Sequence, residues 1–404
     1  MAPAYESRFG MSNSPAYGAA IRDEWGLEPD FLTVNHGSYG ATPKVVLAEQ
    51  DRWRKRMEAQ PTRFFSLELP GALREAAGTL ARFIGADAGD VAFATNASTG
   101  TNAVLRSMKF AAGDEILYVS HVYNAVRNTV AFVAEQTGAK AVVADIPFPR
   151  PDAAGILASI ERCLSKRTRI AVIDHITSPS GLVLPAAEIV KLCHDAGVPV
   201  LIDGAHVPGQ APLDLTALGV DWYVGTCHKW LSAPKGCGFL YARPERRAEL
   251  HPVVISHGYG GGFVAEFDWT GTADPSAFLS LPVAIAFWER LGGAKLMERN
   301  RQLAAQAAAL VAKALGTEVG VSPDMAGSMG LVRLPITVKE ATRAEGAKVR
   351  RELQAAGTDA PVHPVDGKMW LRLSAYAYNE IGDYERLAKI LPKALASFSN
   401  NGDD

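Results

Sequence analysis

Two short runs, RIAVID (169–174) and VPVLID (198–203), constrain this chain more than any other feature. Each is apolar at consecutive positions, so both faces of the strand it forms must be covered. Such a strand belongs in the interior of a parallel sheet with helices packed on both sides; a sheet with one wet face would alternate. The flanking sequence agrees. VAFAT (91–95), EILYV (115–119) and AVVAD (141–145) read as further strands, and TNAVLRSM, YNAVRNTVAFVAEQ (123–136) and AAEIVKLCHDA (186–196) as helices. Strand–helix alternation of this kind predicts an open α/β sheet with right-handed crossovers.

After about residue 285 the texture changes. An alanine-rich helical region (301–315) precedes a strand, MGLVRLPI (329–336), then a helix (344–355), a strand, MWLRLS (369–374), and a final helix (380–397). The expected organisation is an N-terminal arm over 1–30, a large domain over 31–285 and a smaller α+β domain over 286–404. No internal repeat or low-complexity linker separates the two domains, so they are expected to share a large interface.

The bulk numbers exclude several classes. A net charge of -2 carries no basic footprint for nucleic acid. No apolar run is long enough to span a membrane, and the N-terminus lacks the apolar stretch of a secretory signal. Cys163, Cys193, Cys227 and Cys237 form no C-x-x-C pair and no disulfide framework. They read as reduced thiols of a cytoplasmic protein, with no metal site.

In open α/β sheets ligands bind beyond the carboxyl ends of the strands. Asp203 ends VPVLI there, within DGAHVPG. A carboxylate at that place pairs with a protonated pyridine nitrogen and keeps the ring an electron sink; the ordinary alternative is a turn or capping aspartate. Further on, at Lys229, the chain reads VDWYVGTCHKWLSAPKGCGFLY. A lysine between a short strand and a Gly/Pro-rich turn becomes a nucleophilic amine once burial lowers its pKa. An isolated His-Lys pair is more often surface; the combination with Asp203 changes that. ATNASTGTN (94–102) places small and hydroxyl residues where a helix begins, an anion site or a plain N-cap. SHVYNA (120–125) offers His121 or Tyr123 for stacking on a flat ring, or for packing.

With these motifs the chain resembles the class V aminotransferase family of fold-type-I pyridoxal-phosphate (PLP) enzymes, and within it the isopenicillin N epimerase-like branch. The resemblance runs from NHGSYG (35–40) through WTGTADPSAFLSL (269–281) to RLSAYAYN (372–379). It implies a large domain with a mainly parallel sheet flanked by helices, plus a smaller α+β C-terminal domain. Lys229 matches the Schiff-base lysine and Asp203 the pyridine-nitrogen aspartate. His206 matches the residue at the ring face or its phenolic oxygen. Ala97 and Ser98 match the phosphate-binding turn, and Thr226 and His228 complete the phosphate cup. Tyr123 falls where a ring stacks on the cofactor, and Ser178 where a polar group reaches its oxygen. Thr272 matches a phosphate ligand from the neighbouring subunit, which implies a homodimer. Arg372 matches the arginine that binds the substrate α-carboxylate as a fork, with Asn35 nearby. Alternation places Trp370, Arg372 and Ser374 on one strand face, expected to look toward the cofactor cleft.

The implied activity is chemistry at Cα of an amino acid, with Lys229 as general base. Epimerisation leads, with Tyr123, His121 and His206 as candidates for the second proton donor. C–S lysis of the hercynylcysteine sulfoxide lyase type and transamination are the alternatives. A non-catalytic relative is disfavoured by the intact Lys229, Asp203 and Arg372. Desulfurases carry a cysteine in the stretch corresponding to TDAPVHPVDGKMW (358–370). Here His363 stands there and no cysteine follows Cys237, so desulfurase chemistry of the usual kind is not expected.

Overall fold

A computed structural model describes residues 16–400. Its centre is a seven-stranded sheet built from β1 (Val91–Ala94), β2 (Glu115–Val119), β3 (Lys140–Ala144), β4 (Thr168–Asp174), β5 (Val200–Gly204), β6 (Trp222–Thr226) and β7 (Gly238–Ala242), in the order β1-β7-β6-β5-β4-β2-β3. Every pairing is parallel except those of β7, which runs against both β1 and β6. Burial differs between the two edges: β1 is covered at every residue, β3 is not. β2, β5, β6 and β7 are buried at every residue, whereas Lys140, Ala141 and Val143 of the edge strand β3 are exposed.

Helices α1 (Ala97–Ser107), α2 (Asn124–Thr137) and α3 (Ala186–Asp195) follow β1, β2 and β4. The Asn96 side chain caps α1 by accepting from Thr99 N at 2.9 Å, and α2 stops at Gly138, whose φ of 75° is the left-handed turn favoured after a helix. α1 lies close on the sheet: a Cβ at Gly100 would fall 2.6 Å from Val224.

Toward the C-terminus β8 (Met329–Arg333), β9 (Val362–Val365) and β10 (Lys368–Ser374) form an antiparallel sheet in the order β9-β10-β8. Helices α4 (Ala294–Leu315), α5 (Arg343–Ala355) and α6 (Ile381–Asn400) accompany it. Leu371, Leu373, Val349 and Leu387 belong to one apolar cluster, while Trp370 and Val365 join the larger core around the seven strands. β10 therefore has one side for each core, with Arg372 on the larger core's side.

The segment expected as an N-terminal arm packs on the rest of the chain from Tyr17 onward: Tyr17 donates its hydroxyl to Leu291 O at 2.8 Å, and Gly18 N donates to Ala377 O at 2.8 Å. Trp25, 2% exposed, meets Phe287, Tyr376 and Tyr378 edge-on. The apolar content that makes this possible is three aromatic side chains from distant segments, so local sequence does not reveal it. The first fifteen residues of the arm lie outside the described residues.

Candidate active site

The carboxyl ends of β1, β4, β5 and β6 open into a cavity of about 370 Å³, enough for a small cofactor. The turn after β1 brings Ala97 and Ser98. β4 brings Asp174 and, beyond it, Ser178. β5 brings Asp203 and His206, β6 brings Thr226, His228 and Lys229, and Tyr123 enters from the start of α2. All ten of these residues line one space.

Lys229 is held by its backbone. Cys227 N and His228 N both donate to Cys237 O as the chain turns back into β7. From the other side His36 donates Nε2–H to Lys229 O at 2.9 Å, and Tyr378 donates its hydroxyl to His36 Nδ1 at 2.9 Å. The imidazole lies flat on Tyr376 at 3.6 Å. Gly40, with φ of 68°, passes so close that a Cβ there would lie 2.0 Å from His228 O. NHGSYG thus acts as a clamp on the lysine segment, a role its residue types alone do not state.

The Lys229 amine faces His206 Nε2 at 3.2 Å. Trp230 donates its indole N–H to His206 Nδ1 at 3.4 Å, which puts the imidazole proton on Nε2, toward the amine. Burial lowers the Lys229 pKa to about 8; Asp203 pulls it back up and Arg372 pushes it down. Burial and then the charge of Lys229 hold His206 neutral, well below the usual imidazole range. A lysine near neutrality is a nucleophile and a base.

Opposite the amine are two carboxylates. Asp203 Oδ1 accepts from Ala205 N at 2.9 Å. Asp174, its cross-strand neighbour in the β4–β5 register, accepts from Tyr123 N at 3.3 Å through Oδ1, and its Oδ2 is buried without a partner. Burial raises both pKa values; Asp174 is raised further by the charge of Asp203, and Lys229 opposes the rise in each. Asp174 was not singled out in the sequence, although the signal was present: RIAVID and VPVLID are adjacent strands that end on the same residue.

Where α1 begins at the cavity, the first-turn amides of Ala97 and Ser98 have no acceptor within the helix, the arrangement an anion site uses. The Thr226 hydroxyl donates to Ala205 O at 2.6 Å and keeps its lone pairs. His228 donates Nδ1–H to Cys237 O at 3.1 Å, leaving Nε2 free; burial lowers its pKa to about 4.

Arg372 reaches the cavity wall from β10. It donates through Nη1 to Ser178 O and to Ser178 Oγ at 3.3 Å, and through Nη2 to Ser38 Oγ at 3.0 Å. Its Nε is buried without a partner. Ser38 donates to Asn35, and Asn35 to Asp359, which Arg350 grips with two nitrogens. Asp359 is therefore taken by Arg350, and among the described residues Arg372 is a buried cation with no salt-bridge partner. Burial, and next the Arg350 charge, lower its pKa to about 10.

Two residues lie elsewhere. His121 turns away from the cavity: Nδ1 meets Ser180 Oγ at 2.9 Å and the ring packs on Phe148. Thr272 is exposed and does not line its own chain's cavity. Cys227 is fully buried as packing, and all four cysteines are free.

The residues present fit pyridoxal phosphate. They supply a buried carboxylate for a protonated ring nitrogen, an amine near neutrality for an aldehyde, and a helix N-terminus for a phosphate. The unpartnered Asp174 Oδ2 marks a polar floor.

Comparison with known proteins points the same way. The family model for aminotransferase class V matches residues 40–387. A probable chloroplastic L-cysteine desulfhydrase of Arabidopsis thaliana is 32% identical, over 89% of this chain and 82% of its own. The isopenicillin N epimerase of Streptomyces clavuligerus is 33% identical, over 90% of this chain and 95% of its own. Among solved structures, a variant of C-DES with glycine covalently linked to its PLP cofactor superposes with a TM-score of 0.76 at 21% identity, covering 90% of this chain and 96% of that one.

Proposed function

The chain belongs to the class V aminotransferase family and is a pyridoxal-phosphate enzyme, and from that premise we propose that it removes the Cα proton of a carboxylate-bearing amino acid and expels a sulfur substituent from Cβ. The observation that carries this reading is the one-sided placement of bases. Among the described residues lining the cavity Lys229 has the only amine, His206 touches it, His228 adjoins it in sequence, and His121 is turned away. Elimination needs one base at Cα; inversion needs a second group on the opposite face.

The bound cofactor supplies an electron-poor ring that accepts the electron pair left when a bond at Cα breaks. The chain's residues do the rest. Asp203 holds the ring nitrogen's proton. The α1 N-terminus would hold the phosphate, with Thr226 and His228 lining the same end of the cavity. Arg372 fixes the substrate carboxylate and so sets which Cα bond faces Lys229. The Lys229 amine takes the Cα proton, with a pKa that lets it be free base or ammonium near neutral pH. The Cβ–S bond then breaks with its electron pair on sulfur. For L-cysteine and water the balanced products are sulfide, pyruvate and ammonia, which is the activity the plant relative's name carries.

Epimerisation remains as a second reading on one observation: the Tyr123 phenol lines the cavity at 44% exposure and is a free acid for the other face. Incubation with L-cysteine and other amino acids in deuterated water, followed by NMR, separates the two. Pyruvate release supports elimination. Deuterium at Cα with inversion and no pyruvate supports epimerisation and overturns the first reading. We propose further that Thr272 serves the cavity of a second copy. The exposed Val254, Ile255 and Tyr259 support such an interface, and sedimentation of an active monomer would overturn it.

A further inference from the structure

The face of β10 that carries Arg372 looks onto a second polar side chain. β9 pairs antiparallel with β10, His363 opposite Trp370, and Arg372 N donates to Pro361 O at 2.9 Å. Residues opposite one another share a face, so His363, Trp370 and Arg372 project to the same side, with His363 one diagonal step from Arg372. That side looks onto the seven-stranded sheet. Trp370 packs on Phe148 within the larger core and Arg372 reaches Ser38 and Ser178, whereas Val362, Leu371 and Leu373 fill the smaller core.

Among the described residues the His363 side chain has no hydrogen-bond partner, and its Nε2 is buried. Burial first, then the charges of Arg372, Arg343 and Arg350, hold its pKa at about 3. At neutral pH the ring is therefore uncharged, with one N–H to donate. The residue is half-buried, but a buried ring nitrogen with nothing to bond is costly and calls for an explanation such as a ligand. Its neighbour Arg372 is in the same condition, a buried guanidinium with an idle Nε and no salt-bridge partner among the described residues. In its Nε2–H tautomer His363 and Arg372 are two adjacent donors lacking an acceptor, ringed by positive charge, an arrangement that suits an anion.

We infer that His363 is a substrate-contacting residue, its ring N–H donating to the same substrate carboxylate that Arg372 holds. This rests on the reading of Arg372 given above and adds a second side chain to it. Carboxylate recognition is then a joint property of β9 and β10. An amino acid is distinguished from its decarboxylated amine by two side chains, one charged and one neutral.

The test uses propionate, a carboxylate without an amine, titrated calorimetrically into the pyridoxal-phosphate-loaded protein. His363→Leu should weaken propionate binding about tenfold or more, the size of a lost hydrogen bond to a charged group. His363→Gln, which restores an N–H near the Nε2 position, should recover to within about threefold. Propylamine, which lacks the carboxylate, should perturb the cofactor absorbance equally in all three proteins. Unchanged propionate binding in His363→Leu overturns the inference, as does a loss shared equally by propylamine. Arg372→Lys separates the premises. If it weakens propionate binding and His363→Leu does not, only this inference fails. If neither matters, or the wild type does not bind propionate, the reading of Arg372 fails with it.

Discussion

Arg372→Met is the substitution in which stability and function should part company. The guanidinium is buried, 2% exposed, without a salt-bridge partner among the described residues. The fall of its pKa from 12.5 to about 10 corresponds to about 3 kcal/mol by which the folded protein disfavours the charge. For a cation whose folded pKa is depressed, that penalty applies in full at every pH below about 10, hence at pH 7. Methionine removes it and fills much of the same volume. The opposing loss is the donor to the Ser178 carbonyl and hydroxyl and to the Ser38 hydroxyl; the two hydroxyls can turn to other partners, which leaves about 1–3 kcal/mol for the buried carbonyl left unmet. The two nearly cancel, so the cofactor-loaded variant should melt within a few degrees of the wild type. Function has no such compensation. A substrate carboxylate loses two charge-assisted hydrogen bonds of about 1.5–3 kcal/mol each, so kcat/KM for L-cysteine should fall at least ~10²-fold. Cysteamine, the same molecule without its carboxylate, should react equally with both proteins. Pyruvate or sulfide release, cofactor absorbance and calorimetric melting measure the three quantities. A variant that melts far below the wild type while keeping its preference for cysteine over cysteamine would refute the reasoning. Arg372 would then be a strut between Ser38 and Ser178.

Lys229→Ala should bind pyridoxal phosphate without covalent attachment, so that borohydride no longer fixes it to the chain; unchanged fixation would remove Lys229 from its role. Asp203→Asn should retain cofactor but lose at least ~10²-fold in kcat, because an amide does not hold a full positive charge on the ring nitrogen; near wild-type turnover would make Asp203 structural. Asp174→Asn concerns the cofactor-free protein. A buried carboxyl with a raised pKa keeps its proton in the fold, so the wild type loses stability as pH rises above the unfolded value of 3.8. The asparagine variant should therefore be the more stable at pH 7, with the advantage vanishing toward pH 3. A less stable variant at pH 7 would mean that Asp174 is ionised and paired.

What the amino-acid sequence determined by itself was what short segments specify locally. Runs apolar on both faces, such as RIAVID and VPVLID, have no solution other than the interior of a covered sheet, and the strands and helices around them follow closely, apart from α1, which begins at Ala97 and not at Thr101. Asp203 and Lys229 were legible because a carboxylate ending a buried strand and a lysine in a tight strand-to-turn segment are unusual locally. What only the tertiary structure decided was which residues become neighbours across long separations. Asp174 became half of a carboxylate pair because β4 and β5 lie side by side in register. His121 and Tyr123, two residues apart and equally eligible in the sequence, were divided by the turn into α2, which leaves one on Phe148 and the other at the cavity. β7 runs antiparallel because the loop holding Lys229 doubles back through the Cys237 carbonyl, a direction that the pattern GFLYA does not encode. His36 grips the Lys229 carbonyl from far along the chain, and Trp25 finds three aromatic partners. Periodicity reports the environment of one segment; contacts between distant segments depend on packing that no single segment carries, and the chemistry of this cavity is made of such contacts.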